Sequence, residues 1–543
     1  MNIEDMEGLD EATRKKIEEL QNVSREKNGD AEYISSRFHI FYETREFDGY
    51  NIGINALKDI RITDEDYELA QRYIVGDYFF VKRDRELAFE ALKNIRDIEQ
   101  SRDYNFVFLA IAKSYITKVF FEDISFRDIS NAKFVLDLFK NTHSYEVNCY
   151  RKICEFLEDS SFEEIGSRCL ELIECTLTIV SVLKINFGEE VKERKNPERK
   201  LAHYTNTSVA NLLLERNEDG ILSSFFRLNT INNVNDPSEG HLLVNYLEGI
   251  KENYFYAPDF DKSLHAFVSC FTFNHDSLNQ FRLYGKEADK EASGVSLVFE
   301  KEFFQSDNSL EGLSFLSLKN NSQNSDETIL PLELDQQLNA EKSVDGKFRI
   351  NKQPVMRCVY IDPTSDYIQL AHRNRLTFFR EFGDETIAVK DKILSKAEHE
   401  WENYKKYIDE KTTDFRDAFR ALKNNYELII EEKKGITNSD LESFNKIDTL
   451  INEILLPLKY LIKHSAFQEE QECRMIYVTS LNAPEVKMVN KKFLFVEYEA
   501  DVNESLDKVY IAPAARDYQM YLAWLLRDKD IKIELSNNPY RQT

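Results

Sequence analysis

Apolar and charged positions alternate at helical spacing in the first third of the chain. From about residue 60 to residue 185, Leu, Ile, Phe, Tyr and Ala recur every three or four positions, as in DEDYELAQRYIVGDYFF. This period predicts amphipathic helices that each bury one face. Short polar joints favour antiparallel neighbours, and no fixed repeat length emerges. We therefore expect residues 1–190 to form an all-helical domain, either a degenerate helical-repeat array or a plain helical domain, with a regulatory or protein-binding role.

The pattern changes after the charge run EEVKERKNPERK at residues 189–200. Beyond it, short segments rich in Val, Phe and Thr stand between Asn, Asp, Ser and Gly, which is typical of strands. The predicted strands are 266–273, 294–300, 355–361, 472–480, 491–500, 509–513 and 531–536. Between these strands, residues from about 365 to 465 form long, charged segments in which apolar positions again recur at the helical period. The sequence thus predicts an α+β domain over residues 201–543 with a helical insertion at about 365–465.

The composition fits a multidomain globular protein. The chain has 543 residues, of which 42% are hydrophobic, and this suffices for more than one core. The formal net charge of −26 argues against a general nucleic-acid-coating role but leaves room for one local basic pocket. No apolar run approaches the ~20 residues of a spanning helix, and the N-terminus lacks the pattern of a signal peptide. We expect a cytoplasmic protein that does not enter the membrane.

Cysteine and histidine usage predicts neither a disulfide framework nor a metal site. The seven cysteines include no CxxC pair, and the nine histidines include no close pair at metal-binding spacing. We expect reduced, mostly buried thiols. The patterns GxGxxG, GxxxxGK[ST], GxSxG and HExxH are also absent from the sequence. Their absence argues against kinases, P-loop proteins, serine hydrolases and zinc proteases.

A histidine and a tyrosine are the first candidates for chemistry. His203 lies in LAHYTNTSVANLLLER, a short predicted strand that leads into a helix, which Thr205 or Thr207 can cap. Its imidazole either hydrogen-bonds a ligand hydroxyl or satisfies a local backbone group. Tyr284 follows Phe281 by three positions on a short predicted helix. Its ring either stacks on a planar ligand or packs in the core.

An acidic cluster near the end of the chain is the most informative feature. Glu470 and Glu472 precede a buried-looking strand that contains Arg474. On an extended chain these three side chains point to one face. Burial of these charges on one face costs free energy unless they form ion pairs or serve a function. Crowded carboxylates also raise one another's pKa, as in many active sites. The alternative is an exposed cluster with Arg474 as a structural counter-ion. The two glutamates are not ranked, because a one-residue bulge would exchange their faces.

Taken in order, several motifs resemble a bacterial domain-of-unknown-function family, number 2971. Among them is the turn INNVNDPSEG with Asn235 and Asp236, which is either a binding loop or a simple connection. The match covers about residues 201–541 apart from the helical insertion, and Phe281 stands where the family has Trp. The motifs are LAHYT, NDPSE, CFT, DSLNQFRLYG, SGVSLVF, FQEEQECR and SNNPYR.

The order of His, Tyr and Glu along the chain is similar to the signature of ADP-ribosyltransferases of the diphtheria-toxin and poly-ADP-ribosyl type. That resemblance implies NAD as substrate. It implies that His203 hydrogen-bonds the adenosine ribose and that Tyr284 stacks on nicotinamide. It further implies that Glu472 binds the 2′-hydroxyl of the nicotinamide ribose and stabilises the oxocarbenium-like transition state. The domain architecture alone suggests a role as a bacterial defence or toxin effector, with the N-terminal helices as a sensor, partner-binding or regulatory module.

The resemblance also implies roles for the remaining residues of the motifs. Glu470 would orient or deprotonate the acceptor, which is a protein or a nucleic acid, although a small molecule or water also stays open. Arg474 would hold the carboxylates or meet the NAD pyrophosphate. The NAD-binding set is completed by Tyr204, Thr205, Asn235 and Asp236. Two alternatives stay open: a non-catalytic nucleotide-binding or sensing protein with a helical interaction module, and a metal-dependent nuclease.

Overall fold

Packing divides the chain into two compact units, Met1–Thr142 and His143–Thr543. The computed structural model of the protein describes residues 11–44, 50–64, 66–95, 105–117, 127–139, 145–187, 198–216, 223–233, 240–250, 264–287, 290–305, 340–342, 348–389, 392–435 and 441–540. Helices dominate the first part of the chain and mixed sheets the second, so the fold is of the predicted α+β class. Among the described helices, none is long and apolar enough to cross a lipid bilayer.

The described part of the first unit is helical, as the apolar period predicts. Aspartates begin two of its helices: the Asp84 carboxylate accepts from the backbone N–H of Leu87 and the Asp128 carboxylate from that of Asn131, both at 2.9 Å. The helices are α1 (Glu11–Gln21), α2 (Arg25–Thr44), α3 (Tyr50–Lys58), α4 (Tyr67–Phe80), α5 (Arg85–Leu92), α6 (Asn105–Ile116) and α7 (Ile129–Asp137).

The second unit combines strands and helices. Its helices are α8 (Tyr145–Glu158), α9 (Glu163–Leu183), α10 (Thr207–Leu214), α11 (Leu242–Leu247), α12 (Leu278–Tyr284), α13 (Arg375–Phe382), α14 (Lys396–Lys434), α15 (Leu441–Lys459) and α16 (Gln519–Leu525). Its strands are β1 (Leu201–Asn206), β2 (Arg227–Thr230), β3 (His265–Thr272), β4 (Gly294–Phe299), β5 (Ala340–Lys342), β6 (Phe348–Ile350), β7 (Val355–Arg357), β8 (Val359–Ile361), β9 (Ile368–Leu370), β10 (Thr386–Val389), β11 (Lys392–Ser395), β12 (Ile462–His464), β13 (Glu472–Thr479), β14 (Val486–Val489), β15 (Phe493–Glu497), β16 (Leu506–Ile511) and β17 (Lys532–Leu535).

Three local details differ from the sequence-based expectations. The segment of about 365–465, expected to be helical, contains the short strands β9, β10, β11 and β12 as well as α13, α14 and α15. The cap of α10 is Asn206 rather than Thr205 or Thr207, because the Asn206 side chain accepts from the backbone N–H of Val209 at 2.8 Å. The predicted strand 355–361 is broken at Cys358 into β7 and β8. It breaks because β7 pairs with β13, whereas β8 pairs with β12 and β9 in a separate sheet.

Helices α8 and α9 belong to the second unit because they pack on the inserted helices α14 and α15. The Tyr145 hydroxyl donates to the Ile454 carbonyl at 2.5 Å, and the Lys152 ammonium pairs with Glu453 at 2.6 Å. The division between the units therefore falls at 142/143 and differs from the boundary that the charge run near residue 190 predicts. A sequence pattern does not reveal this, since the contacts join segments about 300 positions apart.

The main sheet branches at β3. One path through it runs β14-β15-β2-β3-β1-β4-β16-β17, and β13 also pairs with β3 along its whole length. Two strands pair with the other edge of β3. Strand β2 pairs with the middle of β3, and β1 pairs with the end of β3, where Ala202 lies opposite Thr272. Glu472 also lies opposite Thr272. The start of β1, the end of β3 and the start of β13 therefore lie at one point of the sheet.

Two glycines let α12 pack directly on β4. A Cβ added at Gly294 would lie 2.2 Å from the backbone oxygen of Thr205 and 2.6 Å from the Cα of Gly285. Gly285 follows Tyr284, the last residue of α12. A larger residue at position 294 would therefore push apart β1, β4 and the helix that carries Tyr284.

We predict that Gly294→Ala lowers the free energy of unfolding by about 1–3 kcal/mol, the usual cost of overpacking a core. The matched control is Gly76→Ala inside α4, where an added Cβ meets nothing within 4 Å. That control should stabilise its helix by about 0.5–1 kcal/mol. Denaturant unfolding followed by circular dichroism measures both changes. Wild-type stability of Gly294→Ala would contradict the close packing of α12 on β4.

Candidate functional site

The chain turns sharply just before β13. Ser465–Glu470 form a short 3-10 helix, and Gln471 then adopts a left-handed conformation with φ of 46° before the strand starts at Glu472. Glu470 and Glu472 therefore do not lie on one extended chain, which the expectation of a shared face requires. A left-handed residue other than glycine costs about 1 kcal/mol or more. The Gln471 side chain holds this turn because it accepts from the His372 N–H at 2.6 Å and donates to the Gln468 carbonyl at 2.6 Å.

A buried lysine joins the two candidate carboxylates. Lys463 on β12 donates from Nζ to Glu470 Oε2 at 2.7 Å and to Glu472 Oε2 at 2.5 Å. Of the three side chains, Glu470 is the most exposed at 11%, against 5% for Glu472 and 4% for Lys463. The turn before β13 thus delivers Glu470 to the same ammonium group as Glu472, even though the two glutamates do not share an extended strand.

Arg474 is the second cation of the cluster. Its Nε donates to Glu472 Oε1 at 2.6 Å, and its Nη1 donates to the Tyr460 carbonyl at 2.7 Å. The side chain is only 1% exposed. Its contacts support the first of the two roles considered for it, holding a carboxylate. Contact with a pyrophosphate would require it to leave Glu472.

Helix α12 and strand β3 hold Glu470. The Tyr284 hydroxyl donates to Glu470 Oε1 at 3.0 Å. The Glu470 carbonyl accepts from Thr272 Oγ1 at 2.7 Å and from Gln280 Nε2 at 3.5 Å. Two of the sequence-predicted site residues, Tyr284 and Glu470, are thus in direct contact although they lie 186 positions apart.

The environment moves the pKa values of the two glutamates in opposite directions. Burial opposes ionisation of Glu472, but Arg474 and Lys463 outweigh it and hold the pKa of that carboxyl below its usual value. Burial raises the pKa of Glu470, and Lys463 offsets this only in part while the charge of Glu472 adds to it. The cluster therefore contains one carboxylate that stays ionised and one that takes up a proton more readily.

Lys463, Tyr360 and Cys270 complete the cluster. Cys270 is the first residue of the CFT motif, whereas Lys463 and Tyr360 belong to none of the motifs. Lys463 stands in the apolar run YLIKHSAF, and a lysine in such a run is a signal that could have drawn attention to it. The Glu472 N–H donates to the Tyr360 hydroxyl at 2.8 Å. Cys270 lies opposite Arg474 on β3, and burial together with the charge of Glu472 raises the pKa of its thiol. A raised thiol pKa suits a protonated Cys270 that donates to the Glu472 carboxylate.

His203 approaches the cluster from the other face of β3. Its Nδ1 donates to the Cys270 carbonyl at 2.8 Å, and its ring packs against Phe226 and Phe271 with centroids 5.0 and 5.7 Å apart. Because Glu472 lies opposite Thr272, the neighbouring Phe271 points away from the carboxylates. Burial lowers the pKa of His203, which favours the neutral imidazole with Nε2 as acceptor. His203 and Glu472 thus both contact Cys270, the first through its backbone carbonyl and the second through its thiol.

The remaining predicted residues play structural parts or lie outside the described residues. The Tyr204 hydroxyl donates to the Asn274 carbonyl at 2.6 Å and accepts from the Ser277 N–H at 2.9 Å, so it anchors the loop that leads into α12. Thr205 is buried in β1 opposite Val295. The turn with Asn235 and Asp236, and with it the NDPSE motif, lies outside the described residues.

We predict that Lys463→Met lowers the free energy of unfolding by about 3–5 kcal/mol near neutral pH, because it leaves two buried carboxylates facing each other. Glu470, whose folded-state pKa is already raised, would take up a proton in this variant. A raised carboxyl pKa costs stability as the pH rises through it. The deficit relative to wild type should therefore be smaller at about pH 5 than at about pH 7.5.

The matched control is Lys487→Met, which removes an amine paired with a single carboxylate, Glu497, at 2.6 Å. It should cost about 1 kcal/mol or less with little dependence on pH. Urea unfolding at the two pH values measures both variants. An equal deficit of Lys463→Met at both values would contradict the shared position of Lys463 between the two carboxylates.

Comparison with known proteins returns no match: no protein-family model, no curated protein and no solved structure matches this chain. The resemblance to the bacterial family and to ADP-ribosyltransferases therefore rests on the motifs alone and stays a prediction.

Proposed function

We propose that this protein is an ADP-ribosyltransferase-like enzyme that breaks the nicotinamide–ribose bond of NAD and transfers the ADP-ribose group to an acceptor. NAD is then a substrate, and the acceptor is a protein or a nucleic acid. The proposal draws on the motif order of His203, Tyr284 and Glu472. It draws equally on the contacts that join Tyr284, Glu470 and Lys463.

The observation that carries the proposal is the pair of buried carboxylates that share the Lys463 ammonium while their pKa values move in opposite directions. Glu472 is held ionised by Arg474 and Lys463, and burial raises the pKa of Glu470. Enzymes that break glycosidic bonds use such pairs, since one carboxylate stabilises positive charge on the sugar while the other moves a proton. An exposed, purely structural acidic cluster would not separate its members in this way.

The chemistry follows from these two roles. As the bond between C1′ and the nicotinamide nitrogen breaks, its electron pair leaves with nicotinamide, which becomes neutral, and positive charge develops on the ribose ring. The ionised Glu472 stabilises that charge. A nucleophilic oxygen or nitrogen of the acceptor then bonds to C1′. Glu470 takes the proton that the acceptor loses, and its raised pKa suits a general base near neutral pH.

Tyr284 and His203 position the substrate in this proposal. The Tyr284 hydroxyl fixes Glu470, which leaves the ring of Tyr284 beside the carboxylate where nicotinamide would stack. The neutral imidazole of His203 has its Nδ1 engaged with the Cys270 carbonyl. Its Nε2 is the acceptor left for a ribose hydroxyl, and the ribose would have to approach it on the face of β3 opposite the carboxylates.

Neither alternative function gains a specific observation from the cluster. A metal-dependent nuclease would place its ion between the carboxylates, and Lys463 Nζ occupies that position within 2.7 Å of both. A nucleotide-binding protein without turnover would not need two carboxylates with separated pKa values.

We predict that the wild-type protein, incubated with NAD and a cell lysate as source of acceptor, releases nicotinamide. Glu470→Gln should lower the rate by about 10²–10⁴-fold because it removes the general base. Tyr284→Phe should lower it about tenfold through the loss of one hydrogen bond to a charged group. Chromatography of nicotinamide measures the rates, and circular dichroism checks that each variant is folded.

The control variant is Glu469→Gln, which removes one charge from the neighbouring, exposed residue, whose carboxylate contacts Asn279 at 3.2 Å. It should retain the wild-type rate. Equal losses in Glu469→Gln and Glu470→Gln would mean that net charge rather than Glu470 matters. Absence of nicotinamide from the wild-type reaction would overturn the proposal.

We predict separately that His203→Ala weakens NAD binding about tenfold, as expected for the loss of one buried hydrogen bond to the ligand. Isothermal titration calorimetry on Glu470→Gln, which does not consume the ligand, isolates this effect. Saturable binding by wild type without any nicotinamide release would favour the nucleotide-binding alternative. Unchanged affinity of His203→Ala would remove His203 from the site.

A further inference from the structure

A second charged cluster adjoins the carboxylates at the end of β3. It consists of Arg199, just before β1, Arg373, just before α13, and Glu381 within α13. Both guanidinium groups approach the same oxygen of Glu381: the distance to Oε2 is 2.6 Å from Arg373 Nη2 and 3.8 Å from Arg199 Nε. Two cations thus share one carboxylate.

Arg199 makes few hydrogen bonds for a side chain that is largely buried. Within the described part of the chain, its guanidinium makes one hydrogen bond, from Nη1 to the Phe273 carbonyl at 3.5 Å. Its approach to Glu381 lies outside hydrogen-bond range. The side chain is only 17% exposed. A guanidinium has five N–H donors, and a largely buried one normally engages most of them.

Arg373 is held rigidly in the position that a bidentate ligand needs. Its guanidinium carbon lies 3.8 Å from the centre of the Phe378 ring, and its Nε donates to Thr377 Oγ1 at 3.4 Å. Glu381, its charged partner, is 39% exposed, so an incoming anion can reach the pair from that side. A fixed guanidinium loses little conformational entropy when it binds a ligand.

The cluster carries an excess of positive charge. Burial together with Arg373 lowers the pKa of Arg199 to about 10, which still leaves it charged at neutral pH. Burial and the charge of Arg199 hold the pKa of the neighbouring His275 well below its usual value, so His275 is neutral. Arg199 and Arg373 therefore contribute two positive charges and share one paired carboxylate, Glu381, while the charge of Glu400 acts on Arg373 more weakly and without an ion pair.

The nearby lysines do not change this balance. The Lys200 ammonium pairs with Glu300 at 2.7 Å and with Asp507 at 2.8 Å. Lys508 pairs with Glu534 at 2.9 Å. Their charges are neutralised locally, and the excess stays on the two arginines.

We propose that Arg199 and Arg373 form an oxyanion subsite that binds the phosphate or pyrophosphate group of a nucleotide. Two guanidinium groups that converge on one point present the paired N–H donors that phosphate oxygens prefer. The phosphate would complete the hydrogen bonds of Arg199 and balance the excess charge. Glu381 would stay on Arg373 or turn toward solvent.

The subsite lies within reach of the carboxylate cluster. Thr272, the last residue of β3, contacts the Glu470 backbone, and the next residue, Phe273, contacts Arg199. Successive residues of a strand are about 3.3 Å apart, so one extended ligand can span both places. If the proposed function holds, the occupant is the pyrophosphate of NAD, and this step of the inference rests on that function. Phosphate binding itself does not require any bond cleavage.

Isothermal titration calorimetry with ADP and with inorganic pyrophosphate tests the subsite on the full-length protein. We expect wild type to bind both ADP and pyrophosphate. Adenosine should bind at least about tenfold more weakly than ADP, because it lacks the phosphates. Arg199→Gln and Arg373→Gln should each weaken ADP binding by about tenfold to a hundredfold. Arg199→Lys keeps the positive charge but not the paired N–H donors of the guanidinium group. Its affinity for ADP should lie between those of wild type and Arg199→Gln.

The matched control is Arg375→Gln, which removes the same charge near the start of the same helix, where Arg375 pairs with Glu398 at 2.7 Å. It should bind ADP like wild type. Wild-type affinity in both Arg199→Gln and Arg373→Gln would overturn the proposal and leave an internal Arg–Glu–Arg ion triad. Failure of wild type to bind ADP or pyrophosphate would overturn it as well, and that measurement needs no variant.

The outcomes for the subsite and for the proposed function are distinguishable. Glu470→Gln should lower the rate of nicotinamide release by about 10²–10⁴-fold, as predicted above, and leave pyrophosphate binding unchanged. If wild type binds pyrophosphate through Arg199 and releases no nicotinamide, the subsite stands and the proposed function fails. If nicotinamide is released at the wild-type rate by both arginine variants and their ADP affinity is unchanged, the proposed function stands and the subsite fails.

Discussion

One ammonium group holds two buried carboxylates in place. Lys463 contacts both Glu470 and Glu472, and Arg474 neutralises the second charge of the pair. Without these cations the carboxylates would repel each other in a region that excludes water, and burial of even one unpaired charge is costly. The left-handed turn at Gln471 serves this charge pairing, because it places Glu470, the last residue of the 3-10 helix, in contact with Lys463. The arrangement of the site therefore depends more on the neutralisation of its buried charges than on the geometry of strand β13.

The branched sheet decides which elements can reach this lysine. The start of β1, the end of β3 and the start of β13 meet near Thr272, so their residues line one region although they are far apart in sequence. Helix α12 reaches the same region because Gly285 and Gly294 allow it to sit against β4. Arg199 and Arg373 enter from the segments just before β1 and α13. One junction of the fold thus supports a carboxylate cluster and a cationic cluster side by side.

Part of this fold can be predicted from the sequence: the helical period predicts the helices of the first unit and the long helices α14 and α15, and the strand containing Glu472 was found almost to the residue. The short strands β9 to β12 were missed because they lie in a segment whose dominant pattern is helical. The motif order also singled out Tyr284 and Glu470, which the structure brings into contact. Lys463 and the Arg199–Arg373 pair were missed because their importance depends on tertiary partners and not on local spacing. The division at 142/143 also differs from the boundary expected near residue 190, because α9 packs on the distant α14. The regulatory or partner-binding role expected for residues 1–190 stays a prediction.

Carbon-13 NMR of the glutamate carboxyl groups tests most directly whether the cluster separates its two carboxylates. Spectra recorded as a function of pH, with Glu470→Gln and Glu472→Gln used for assignment, report the ionisation of each group. We expect the Glu472 signal to stay that of a carboxylate below the usual glutamate range and the Glu470 signal to change above it. Titration of both groups together, near the ordinary pKa of a solvent-exposed glutamate, would contradict the buried charge cluster and with it the chemistry proposed for this protein.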